Sequence, residues 1–173
     1  MTSTPWRCET CGTEHQGLAT VFGPQAPEPW LVASEEIRSQ GELNADMCVM
    51  RLDGATHYFL RGQLELPVRD AEIGPFVWSV WVSLSPESMQ TTIDHWTDPD
   101  RASLDPMFGW VCNELGVYDA PTMPMATHVH TRPPGVAPFI EVDPTIDHPL
   151  AREQSEGITL HRVAELNQRL LGG

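Results

Sequence analysis

From Phe76 to Leu84 the chain reads FVWSVWVSL, its longest nearly unbroken apolar run. Alternation puts Phe76, Trp78, Val80, Val82 and Leu84 on one face, with Val77, Ser79, Trp81 and Ser83 on the other, which is the period of a strand. Its β-branched and aromatic residues suit a pleated surface covered on both sides, so the run predicts a central strand. Around it the pattern predicts an antiparallel meander. Met47 to Leu52 (MCVMRL) and Thr56 to Leu66 (THYFLRGQLEL) read as strands joined by an Asp53-Gly54 hairpin turn, with a bulge expected at Gly62. Phe108 to Val111, Met123 to Thr131 and Phe139 to Val142 supply further strands.

Helical periods fill the remaining segments. Ser34 caps a short helix over Glu35 to Gln40, after a proline-rich, extended connection from Val21 to Leu31. Ser85 and Pro86 open a helix whose stripe is Met89, Ile93 and Trp96. Asp147-His148-Pro149 opens another, which Gly157 closes, and Thr159 caps a terminal helix lined by Leu160, Val163, Leu166 and Leu170. The expectation is one α+β domain over residues 1–173, an antiparallel sheet of about five or six strands with helices packed on one side. Within it, residues 1–20 form a zinc-knuckle-like segment and 157–173 hold the C-terminal helix.

Composition narrows the classes. With 40% hydrophobic and 20% charged residues the chain has the makeup of a folded globular protein rather than a disordered one. Its 24 acidic residues against 10 basic ones give a formal charge of -14, which repels phosphate backbones and anionic headgroups. That argues against a nucleic acid or a membrane and for a basic protein or peptide as partner, although a well-solvated acidic surface has the same composition. Met1 to Arg7 has no apolar core of a signal peptide, and no run reaches the ~20 residues of a membrane span, so a cytoplasmic setting is expected.

In a reducing compartment Cys8, Cys11, Cys48 and Cys112 read as thiols or metal ligands. Cys8 and Cys11 form a Cys-x-x-Cys-Gly turn, in which two thiolates leave one tight bend and Gly12 lets backbone amides face the sulfurs. This is half of a structural zinc site. A thioredoxin-like redox pair is the weaker reading, because only seven residues precede the first cysteine. The candidates for the remaining ligands are His15, four residues past Cys11, and Cys48 at the start of MCVMRL, for which a small buried core residue is the competing reading. Cys112 reads as a buried thiol.

Alternation puts His128, His130 and Arg132 on one strand face, where hydrogen-bonded polar residues are the ordinary reading. An enzyme would draw on His130, Arg132, His148 and Glu153, provided that the two histidines converge in a concavity. The aspartate-rich DPDRASLDP lacks the glycine and glutamate of an EF-hand loop and reads as a solvated loop. There is no phosphate-cradling glycine loop, GxSxG elbow or HExxH helix in the sequence.

Six segments, CETCG with His15, GQLELPV, FVWSVWVSLS, FGWVCNEL, HTRPPGVAPFIEV and DHPLAREQSEGIT, occur in this order over nearly the whole chain. In them the chain resembles the bacterial family known as domain of unknown function 2199. The resemblance implies a single domain and brings no activity or catalytic residues with it. Such a domain is compatible with a zinc-stiffened binding protein, an immunity or antidote-like protein that binds a basic partner, or an enzyme.

Overall fold

A computed structural model describes residues 6–8, 11–12, 14–15 and 17–172, with Trp6 and His15 described by their backbone alone. The order begins with β1 (Trp6–Arg7), β2 (Glu14–His15), β3 (Val21–Phe22), α1 (Glu28–Leu31), α2 (Glu35–Ser39) and β4 (Glu42–Leu43). It continues with β5 (Met47–Leu52), β6 (Ala55–Leu66), β7 (Phe76–Leu84) and α3 (Pro86–Asp94). A short 3-10 turn (Arg101–Ser103) leads to β8 (Met107–Val111), β9 (Met125–His130), β10 (Phe139–Val142), α4 (Pro149–Glu156) and α5 (Leu160–Leu171).

The predicted central strand is β7. On one edge it pairs antiparallel with β6 from Tyr58↔Leu84 to Leu66↔Phe76. Its other edge is shared by β3, parallel at Val21↔Val77 and Phe22↔Trp78, and β8, antiparallel at Val82↔Val111 and Ser83↔Trp110. From β8 the sheet passes antiparallel to β9 and β10 and returns to β6 through a parallel pairing, Phe139↔Gln63. The described residues thus form an eight-stranded sheet in which β6 to β10 close into a barrel, with β5 and β4 extending outward from β6.

The expected α+β arrangement, a mainly antiparallel sheet with helices packed on it, is what the described residues form; the sheet is longer than the five or six strands expected, carries two parallel pairings and curls shut. The physical reason lies in β6. Its 12 residues exceed what one neighbour covers, so the first half pairs with β5 and the second half meets β10 on the same edge. At Gly62 the ladder to β7 runs unbroken opposite Val80, and the expected bulge is not formed. A Cβ at Gly62 would come within 2.4 Å of Ile140 Cδ1 and 3.1 Å of the Pro138 carbonyl, so the bare backbone is what admits β10. The amide of Gln63 then donates to Pro138 O at 2.8 Å.

Alternation fills the barrel. Leu60 and Leu64 of β6, Trp78, Val80 and Val82 of β7, Val111, Val129 and Ile140 all belong to one buried cluster. Met89 of α3, Leu150 of α4, and Val163 and Leu166 of α5 complete it. On the opposite face of β5, β6 and β7 lies a second cluster of Cys48, Met50, Phe59, Trp81 and Cys112, covered by Trp30, Ala33 and Ile37. Helical segments therefore attach to two clusters, where one helical side was expected. The Val21 to Leu31 connection, expected to be extended, folds α1 within it, and the Trp30 side chain anchors that segment to the second cluster.

Closure at Gly62 is testable by a mutant cycle. Gly62→Ala should destabilise by about 1–3 kcal/mol, because Ile140 must leave its rotamer or β10 must shift. In an Ile140→Ala background the same change should cost less, since the clashing atoms are gone. Thermal unfolding of the four proteins measures both; equal costs in the two backgrounds would mean that Gly62 is not what admits β10.

Candidate metal centre

The N-terminal ribbon is built by two short strands. Trp6↔His15 and Arg7↔Glu14 pair antiparallel and bring the chain round so that Cys8 and Cys11 leave one turn. The Gly12 amide donates to Cys8 O at 2.8 Å, and Gly12 takes a φ of 68°, a left-handed conformation that favours glycine. Arg7 Nε donates to Gly12 O at 3.1 Å and fastens the turn from outside.

The third member of the site comes from the far end of the sequence. Thr159 caps α5, its hydroxyl accepting from the Arg162 amide at 3.2 Å, and this fixes the first turn that carries His161. His161 Nδ1 lies 3.2 Å from Cys8 Sγ, although the two residues are 153 positions apart. The ligand atoms of Cys8, Cys11 and His161 all lie within 4.8 Å of one another. Tetrahedral zinc, with bonds of about 2.3 Å to sulfur and 2.0–2.1 Å to nitrogen, sets its ligands roughly 3.5–3.8 Å apart, so the group can close on an ion with small side-chain adjustments. Cys8 is buried and Cys11 is exposed, which places the site at the surface with one thiol turned inward.

A second clasp holds α5 to the same segment independently of any ion. Asn167, itself buried, accepts from the Ala19 amide at 2.8 Å and donates to the Ala19 carbonyl at 2.9 Å. Arg169 donates to Val117 O at 2.8 Å.

The other predicted ligands lie differently. Of His15 only the backbone, in β2, is described, so its side chain lies outside the described residues. Cys48 opposes Phe59 in the β5–β6 ladder and is enclosed in the second apolar cluster, outside the Cys8, Cys11, His161 group. Burial pushes its thiol up to about 12, which disfavours the thiolate a metal needs. Burial also raises the Cys112 thiol.

The four residues considered for an enzyme divide into two sets. His130 Nε2 faces Glu141 Oε1 at 3.3 Å, and Arg132 donates to Glu65 at 3.2 Å and Gln63 at 3.3 Å above the Phe139 ring. His148 instead caps α4: its Nδ1 accepts from the Leu150 amide at 3.0 Å, which leaves the proton on Nε2 facing Ala120 O at 3.2 Å. Both nitrogens of His148 are thereby engaged. Glu153 accepts from the Tyr118 hydroxyl at 2.8 Å and from Arg162 Nε at 2.9 Å. Tyr118 in turn accepts from Trp78 Nε1 at 3.1 Å, and burial together with the Glu153 charge raises its pKa. This chain of bonds ties β7 to α4 and α5.

Sequence reasoning missed His161. It stands beside the apolar stripe of α5, where a single histidine has no spacing relation to the CxxC turn.

The family model described as an uncharacterized protein conserved in bacteria (DUF2199) matches residues 7–158. His161 and Asn167 lie beyond the matched segment. Neither a curated protein nor a solved structure matches the chain.

The Cys48 environment predicts a pH dependence. Its folded pKa is raised from 9.0 to about 12, so the unfolded chain loses the proton first. Stability is complete below pH ~9 and declines above it at up to about 1.4 kcal/mol per pH unit. Urea unfolding should show a shallower alkaline decline in Cys48→Ala than in the wild type, on a lower baseline. Parallel declines would place the Cys48 thiol in a solvated environment.

Proposed function

We propose that this chain, which belongs to the bacterial DUF2199 family, is a small acidic binding protein whose two terminal segments are fastened together by a structural zinc ion. The convergence of Cys8, Cys11 and His161 carries the zinc reading. Two thiolates and an imidazole form a soft donor set, which favours zinc over the hard cations calcium and magnesium. His15, on the ribbon strand that returns from the CxxC turn, is our candidate for the fourth ligand. When bound, the ion supplies a rigid cross-link between the ribbon and α5. Thiolate ligation also fits the reducing, cytoplasmic setting expected from the sequence, and no described helix is long and apolar enough to cross a membrane.

The binding half of the reading rests on charge. A surface carrying a net -14 attracts a basic protein or peptide and accelerates its encounter at low ionic strength.

Elemental analysis of protein purified without chelator or a polyhistidine tag should find about one zinc per chain. Cys8→Ser with Cys11→Ser should abolish it, and His161→Ala should weaken it by about tenfold or more. Zinc-finger sites are worth about 10–16 kcal/mol, yet the barrel core and the Asn167 clasp do not depend on the ion. The double variant should therefore keep its strand signal in circular dichroism while melting at a lower temperature. Wild type that carries no metal as purified without chelator, and melts at the same temperature as the double variant, would overturn the zinc reading.

The partner reading has its own measurement. Low-salt pull-down should recover a basic protein that binds saturably, with an association rate falling steeply as ionic strength rises. Recovery of unsaturable polycation binders alone would reduce the acidity to a matter of solubility.

A further inference from the structure

We propose that the outer face of β8, β9 and β10 is the surface that receives the partner, and that it reads an extended segment carrying arginine or lysine. This rests on the binding-protein reading above and gives it a location and a chemistry.

Alternation on β8 sends Met107 and Val111 into the barrel and turns Phe108 and Trp110 outward, 49% and 44% exposed. The two rings meet edge to face, with centroids 5.0 Å apart and planes at 86°. Large aromatic rings left in water side by side on a sheet mark a contact surface rather than a scattered apolar residue.

Register tells what lies beside them. Phe108 stands opposite His128 on β9, and His128 opposite Glu141 on β10. Trp110 stands opposite Ala126, whose carbonyl accepts from the Asp143 amide at 3.0 Å. Two parallel rows therefore cross the face, each running from an aromatic ring to a carboxylate. Asp143 is anchored by Thr145, which donates to its Oδ1 from the amide at 2.9 Å and from the hydroxyl at 2.7 Å. Ala126, with the smallest side chain of the rows, stands between Trp110 and Asp143 in the register.

This pairing of ring faces with carboxylates suits a guanidinium or ammonium group, which gains from an aromatic face and an anion at once. At one end of the face Arg132 is bound to Glu65 and Gln63, and His130 Nε2 faces Glu141 Oε1 at 3.3 Å, so the row from Trp110 to Asp143 is the part that takes a cation. A second copy of the chain is disfavoured as occupant, because it brings its own -14 charge. The face spans three neighbouring strands of the barrel wall, which fits a peptide segment lying across them.

The test uses the full chain and a fluorescein-labelled decapeptide of alternating arginine and glycine, with binding followed by anisotropy and by amide and indole NMR shifts. Saturable binding should shift the Trp110 indole and His128 signals. Phe108→Ala with Trp110→Ala should weaken it by about tenfold or more, as should Ala126→Lys, which puts a like charge between Trp110 and Asp143. Glu35→Gln with Glu36→Gln, on α2, removes the same number of charges as Glu141→Gln with Asp143→Asn and should change the affinity far less. Unchanged melting temperatures confirm that the surface variants fold. Saturable binding unaffected by the β8 and Ala126 variants would overturn this location while leaving a binding protein. Absence of saturable binding in the wild type, together with failure of the pull-down, would overturn both. Concentration-dependent self-association lost in the Phe108, Trp110 variant would instead assign the face to a second copy.

Discussion

The architecture depends on one long ladder, β6 against β7, and on what that ladder leaves open. Because β6 pairs with β7 along one edge, its other edge is available to two partners in succession. The half next to β5 gives the sheet its breadth, and the half next to β10 closes the barrel. Gly62 sits where these roles meet, its missing side chain occupied by Ile140. The apolar faces of five strands then point to one interior, and three helices need contribute only a few side chains each to seal it.

The ends of the chain are organised by a different kind of force. The ribbon carrying Cys8 and Cys11 is too small to bury a core, so directional bonds hold it. Asn167 grips both polar groups of Ala19, and His161 reaches Cys8. Between them and the barrel runs the chain Trp78, Tyr118, Glu153 and Arg162, which fixes α5 relative to β7. The geometry of the Cys8, Cys11 and His161 group is therefore inherited from the core through a helix that is already in place.

Much of this was legible because local rules suffice for it. The bounds of β7, the inward and outward sides of β9, and the caps Ser34, Ser85 and Thr159 follow from period and from short-range hydrogen bonding. Closure was not legible, since one parallel pairing between Phe139 and Gln63 leaves no periodic trace. Gly62 stood out in the sequence, but a glycine in a strand signals either a bulge or a close approach, and only the position of Ile140 selects between them. Cys48 resembled a ligand because a small thiol at a strand start is chemically competent; the enclosure by Met50, Phe59 and Trp81 that makes it a core residue comes from three strands and α2. His161 illustrates the opposite case, a competent residue without a local signature, whose role arises from a contact 153 positions away.

The extent of the sheet has a consequence for how another molecule can attach. Its terminal strands, β3 and β4, are each 2 residues long, and Glu42 adds a charge to one of them. Such strands present few unpaired amides and carbonyls of their own, so an incoming chain gains little by pairing with β3 or β4. Contacts made across the faces of the sheet rest on side chains instead, and substitution there leaves the hydrogen-bonded frame beneath undisturbed.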